Sequence, residues 1–158
     1  MTSELSLTGY PPQDLLLRKD FLKKVENFKQ KIINLTKKKK TIFALSIPLK
    51  KINEITNALL LVQSGKIIYS IQKKILPNYG VFDEKRYFSS TQIKTEYFNY
   101  RNKKIEFLIC EDMWTNDFIK KKKEKLDLIV VINASPFEIG KFKLRQSHAS
   151  KRAKHFKS

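Results

Sequence analysis

The sequence predicts a mixed α/β domain built in layers. Segments with apolar residues at helical spacing alternate with short, wholly apolar strand-like runs. Two of those runs flank Ser64-Gly65, the signature of a hairpin. Gly-rich turns joining a strand to a helix are absent, so nothing points to a dinucleotide-binding fold.

The elements follow in order. Residues 1–13 read as a short apolar piece and a loop punctuated by Gly9, Pro11 and Pro12. Asp14 is placed to cap a helix whose apolar face carries Leu15, Leu16, Phe21, Leu22, Val25, Phe28, Ile32 and Leu35. Lysines end that helix, where its dipole is negative. TIFALSI (41–47) reads as a buried strand stopped by Pro48, and residues 56–74 as the hairpin. Residues 75–88, ILPNYGVFDEKRYF, form an aromatic and charged loop. TEYFNY (95–100) alternates like a strand, and Asn102-Lys103 turn the chain into the strand that ends at Cys110. Thr115 or Asn116 opens a short helix through Lys125, with Lys120–Lys123 on its solvated face. LDLIVVINAS (126–135) is a strongly buried strand. A last helix spans about 141–157, with Phe142, Leu144 and Ala149 among many cations and no C-terminal cap. His148 and His155 on it read as solvated.

The 158 residues fit one domain. Their 41% hydrophobic content suffices for a core. No apolar run is long enough to cross a bilayer, and the opening MTSELSLTGY lacks the pattern of a signal peptide. A single cysteine forbids an intrachain disulfide and fits a reducing cytoplasm. The formal charge of +18 would suit a polyanion. The same composition, rich in Lys, Ile, Asn, Phe and Tyr, also follows from A/T-rich codons. The lysine runs lack the interleaved aromatics of a single-strand groove. A basic nucleic-acid-binding module is therefore the lesser reading.

Three reactive groups stand at apparent strand exits, where layered α/β folds place their chemistry. Glu4 ends the first apolar piece, Lys73 ends the second hairpin strand, and Cys110 ends IEFLIC. A lone cysteine is more often a buried bystander than a nucleophile. In company with the other two it acquires a role. A glutamate can take a thiol proton, a lysine can stabilise a developing oxyanion, and a thiolate can form an acyl-enzyme. No cluster of metal ligands accompanies them.

The blocks SELSLTGYPPQDLLLR, KKILPNYGVFDEKRYF, LICEDMW and NASPFEIGK resemble the glutaminase domain of glutamine-dependent NAD synthetase, of the carbon–nitrogen hydrolase (nitrilase) superfamily. They stand in that family's order and cover nearly the whole chain. The resemblance implies an α-β-β-α sandwich with Glu4 as general base, Lys73 as catalytic lysine and Cys110 as nucleophile. Lys74 is one residue away, so the lysine assignment is open by one position. Glu84 is implied to orient the lysine and substrate. Tyr10 and Tyr79 would line the glutamine pocket, and Glu111 and Ser135 would lie near the amino-acid head group. The Glu111 N–H would assist at the oxyanion. The implied reaction is glutamine amide hydrolysis through a thioester. It needs no cofactor at the glutaminase step, since ATP and Mg belong to the synthetase domain.

The resemblance also implies departures. The family's domain opens with a strand and a helix before the glutamate strand, and it continues past the last helix. Residues 1–158 are thus expected to form a partial domain, incomplete at both termini, with the synthetase domain absent. Glu4, three residues from Met1, is expected on a frayed end that would weaken activity. The implied partners are glutamine and a synthetase domain or complementary fragment on a separate chain. The other readings are a non-catalytic remnant and a different amidase of the superfamily.

Overall fold

The computed structural model describes residues 1–91, 97–115 and 125–158. The helix expected after Thr115, with the lysine run 120–123, falls largely outside the described residues, as do the first two residues of TEYFNY. A 3-10 turn (Gln13–Leu17) leads into helix α1 (Lys19–Leu35). Strands β1 (Phe43–Lys50), β2 (Ile55–Gln63) and β3 (Lys66–Gln72) form an antiparallel sheet in the order β1-β2-β3. Strands β4 (Phe98–Tyr100), β5 (Lys103–Ile109) and β6 (Leu128–Ile132) form a second, with β4 antiparallel and β6 parallel to β5. Helix α2 (Lys141–Phe156) follows.

Strand alternation sends consecutive side chains to opposite faces, and β2 uses both. Leu59 and Leu61 join Ala44, Ile71, Ile109, Cys110 and Ile132 in a core between the two sheets. Leu60 and Val62 face the other way, with Leu45, Ile47 and Ile33 of α1. β6 sends Ile132 into the inter-sheet core, while Ile129 and Val131 line a cleft with Ala149 and Ala153 of α2. The layers therefore run α1, first sheet, second sheet, α2, the order of an α-β-β-α sandwich.

The β2–β3 and β4–β5 hairpins turn on left-handed residues. Ser64 and Gly65 have φ of 51° and 76°. A Cβ on Gly65 would lie 2.7 Å from the Lys37 side chain, so glycine is needed there for space as well as conformation. Arg101 and Asn102 (φ 48° and 61°) close β4–β5, one residue earlier than the spacing predicts, because Tyr100 already pairs with Lys103.

Several expectations need correction. Pro48 does not stop β1. It lies within the strand opposite Asn57, tolerated because β1 is an edge whose outer N–H groups need no ladder partner. Asp14 does not cap α1, which begins at Lys19; it accepts a hydrogen bond from the Tyr87 hydroxyl at 2.6 Å. On α1 the buried residues are Leu22, Val25 and Ile33, whereas Phe28 and Leu35 are exposed. The lysine run follows that helix rather than occupying its last turn. Thr36 closes it by donating to the Ile33 carbonyl and accepting from the Gly65 N–H. The 126–135 segment is not strongly buried, since Ile132 is the only buried residue of β6. Helix α2 does have a C-cap, Lys157 in the left-handed region with its N–H on the Ala153 and Lys154 carbonyls. Its buried positions are Arg152 and Phe156, while Phe142, Leu144 and Ala149 are exposed.

Candidate active site

Glu4 is buried rather than frayed. The Thr2 N–H donates to the Ala44 carbonyl at 3.0 Å, and the Leu5 N–H donates to Ser46 Oγ at 2.9 Å, which sews the N-terminal segment to the edge of β1. Leu5 takes a left-handed φ of 47°, and its fully buried side chain packs with Leu16, Leu22, Leu76 and Phe88. That turn leaves Glu4 pointing inward at 1% exposure.

Lys73 follows β3, its N–H on the Asn57 carbonyl at 2.7 Å. Its Nζ lies 2.7 Å from Glu4 Oε1 and 2.6 Å from Glu84 Oε1. Asn57 Nδ2 donates to the same Glu4 oxygen at 2.8 Å, and the Tyr10 hydroxyl donates to Glu84 Oε1 at 2.7 Å. Of the two adjacent lysines, Lys73 enters this cluster. The Lys74 backbone N–H instead donates to Asp112 Oδ1.

Cys110 ends β5 on a sharp turn, with a left-handed φ of 43° that costs an L-residue about 1–2 kcal/mol. The turn continues as Cys110–Met113 and brings the thiol close enough to the Glu4 carboxylate and the Lys73 ammonium for both charges to act on it. Glu4, Lys73 and Cys110 therefore meet, although they lie far apart in sequence and belong to three chain segments.

Electrostatics divide the labour. Burial, then the charge of Glu4, push the Cys110 thiol up to about 12, against the opposing pull of Lys73 and the Ala134 N–H. Burial alone would lower Lys73; the two carboxylates outweigh it and hold the ammonium above its ordinary value. Burial raises Glu84 despite the lysine beside it. Burial and the Glu84 carboxylate raise Tyr10 as well. The resting centre is thus a neutral thiol beside a locked cation, with Glu4 between them.

The thiol opens on a cavity of about 210 Å³ lined by Tyr79, Phe82, Cys110, Glu111, Ser135 and Lys141 among others. This is below the roughly 300–1,000 Å³ of drug-sized pockets and suits a small molecule. The Tyr79 hydroxyl reaches both Glu111 oxygens at 3.0 and 3.1 Å. Burial and that carboxylate push its pKa up to about 12. Ser135 Oγ accepts from Arg145 at 2.8 Å. Tyr79, Glu111 and Ser135 thus line the cavity at Cys110. Tyr10 does not; it lines a neighbouring cavity of about 250 Å³ together with Glu84, Leu16 and Tyr87. Sequence reasoning missed Lys141, Trp114 and Leu144 in the wall of the thiol cavity. Lys141 is the first residue of α2 after Gly140, a helix start that could have flagged it. Among the described residues, no cluster of three His, Cys, Asp or Glu is placed to hold a metal.

Fold and site define the class: residues 2–154 match the carbon-nitrogen hydrolase family, and the chain belongs to it. Within that class it is similar to glutamine-dependent NAD(+) synthetases. It is 38% identical to the one from Aquifex aeolicus over 95% of this chain, but spans only 26% of that relative. The solved glutamine-dependent NAD+ synthetase from Acinetobacter baumannii, in complex with ADP, superposes with a TM-score of 0.83 at 32% identity, covering 98% of this chain and 29% of that one. The carbon-nitrogen hydrolase from Helicobacter pylori shares the fold, with a TM-score of 0.74 at 18% identity, covering 97% of this chain and 55% of that chain.

Proposed function

We propose that the chain hydrolyses the side-chain amide of glutamine and releases ammonia, as the glutaminase portion of a glutamine-dependent NAD synthetase. One observation carries the reading: Lys73 Nζ lies 2.7 Å from Glu4, the charges of both act on the Cys110 thiol, and that thiol lines a small cavity. The similarity to NAD synthetases supports glutamine as the amide.

A thiol held up to about 12 does not ionise in advance at neutral pH, so deprotonation accompanies attack. Glu4 takes the proton as the sulfur adds to the amide carbon. Negative charge develops on the amide oxygen, and the Lys73 ammonium and the Glu111 N–H stabilise it. Glu4 then returns the proton to the departing nitrogen, leaving a thioester. Water, activated by Glu4, cleaves the thioester to glutamate and frees the thiol. Glu84 keeps Lys73 oriented, as the Tyr10 hydroxyl keeps Glu84. Glu111 and Lys141 offer opposite charges to the substrate's ammonium and carboxylate, with Ser135 beside them. The ammonia is consumed on a synthetase domain, where ATP and Mg act.

The test is ammonia release from glutamine by the chain and by Cys110→Ala. Loss of release above background in the variant supports the reading. Equal rates in both remove it, and faster release from another amide reassigns the substrate.

A further inference from the structure

The centre is assembled from two sheets that share no strand pairing: Lys73 follows β3 of the first, and Cys110 follows β5 of the second. What packs the sheets together is mainly the apolar core around Leu59, Leu61, Ile109 and Ile132. Apolar burial is non-directional and sets no register to fractions of an ångström. Hydrogen bonds do, and those to a charged group most strongly.

Asp112 supplies such bonds where the two exits meet. It is 1% exposed and lies two residues after the nucleophile. Its Oδ1 accepts the N–H groups of Lys74 at 3.1 Å and Ile75 at 2.9 Å, the two residues after Lys73. Its Oδ2 accepts the Ile109 N–H at 3.3 Å, the residue before Cys110. One carboxylate thus grips both exits. Arg152 of α2 holds the turn from its other side, donating to the carbonyls of Asp112, Met113 and Thr115. Burying a carboxylate is costly, and here burial pushes it up to about 6 against the pull of those three N–H groups.

We propose that Asp112 is a positioning residue, whose carboxylate fixes the Lys73 exit against the Cys110 exit and so sets the distance between cation and sulfur. The proposal rests on Glu4, Lys73 and Cys110 being the hydrolytic centre. Asp112 itself touches neither substrate nor reacting atoms.

The test uses the full chain and the variants Asp112→Asn and Asp112→Ala. In the wild type, hydrogen exchange at the Lys74 and Ile75 amides is slow, at the level of neighbouring strand amides. Exchange at open-loop rates would overturn the proposal without any variant. In Asp112→Asn, which keeps one acceptor oxygen, kcat for ammonia release drops about 10-fold and in Asp112→Ala about 100-fold, with KM within about twofold. The pH at which iodoacetamide alkylates Cys110 half-maximally also moves down, because the thiol leaves Glu4. A purely structural role would lower thermal stability and leave that pH profile in place. A folded Asp112→Asn with unchanged kcat and unchanged alkylation profile sinks the proposal. If the wild type releases no ammonia, the glutaminase reading fails by itself, and the exchange and alkylation results still decide the role of Asp112.

Discussion

Two edge strands, β1 and β6, flank the same inter-sheet core and differ sharply in how well they are enclosed. β1 buries five consecutive residues, Ala44–Pro48, whereas β6 buries only Ile132. The first edge is covered by α1 on one face, the second sheet on the other, and the N-terminal segment along its side. The second meets α2 across a cleft of about 250 Å³. Glu4 and Lys73 belong with the first sheet, and Cys110 follows β5 of the second. Glu4 and Lys73 are therefore held by burial and by their ion pair. Cys110 is buried in the inter-sheet core as well, and its turn is held in addition by directed bonds from Asp112 and Arg152.

The largest expected break in this comparison comes from Lys73→Met. It leaves the Glu4 and Glu84 carboxylates buried with no cation between them, and unpairing buried charge costs about 3–5 kcal/mol. Urea unfolding should register that loss, with activity at the Cys110→Ala background. Next is a matched pair of truncations. Leu45→Ala on β1, which empties a site at 2% exposure, is expected to cost about 2–5 kcal/mol. Val131→Ala on half-buried β6 should cost about 1 kcal/mol or less. Equal costs would erase the distinction between the halves. The smallest effect concerns the thiol. With its pKa near 12, the wild-type alkylation rate rises about tenfold per pH unit across the neutral range, as the thiolate fraction does. Glu4→Gln removes the carboxylate that raises it, so the profile shifts to lower pH by about one unit. An unmoved profile would separate Glu4 from the sulfur.

Much of this was legible in the chain. The Ser64-Gly65 hairpin, the strand ending at Cys110 and the aromatic loop carrying Tyr79 and Glu84 all follow from local pattern, because turn chemistry and alternation are local properties. Glu4, Lys73 and Cys110 were legible as a group through the ordered blocks that carry the family resemblance and through apparent strand exits, although Glu4 stands in a turn. Pro48 misled because the rule against proline in strands applies to interior strands, and edge position is a tertiary fact. Phe28 misled because apolar spacing marks a face without saying whether anything covers it. Asp112 was hidden for a different reason: its partners Lys74 and Ile75 lie 38 and 37 residues upstream, and backbone N–H groups carry no sequence signal. Arg152 looked like one more cation on a basic helix. Its spacing of four from Phe156, the other buried residue of α2, was the available clue.

Asn57 has an implication for how this gene tolerates drift. Its side-chain amide steadies Glu4, whereas the Lys73 N–H bonds to its backbone carbonyl, which any residue would supply, so the codon underwrites the Glu4 contact alone. Asparagine and lysine codons differ by a single third-position base. Such a change would, at this one site, set a second ammonium against the first and remove the amide that steadies Glu4.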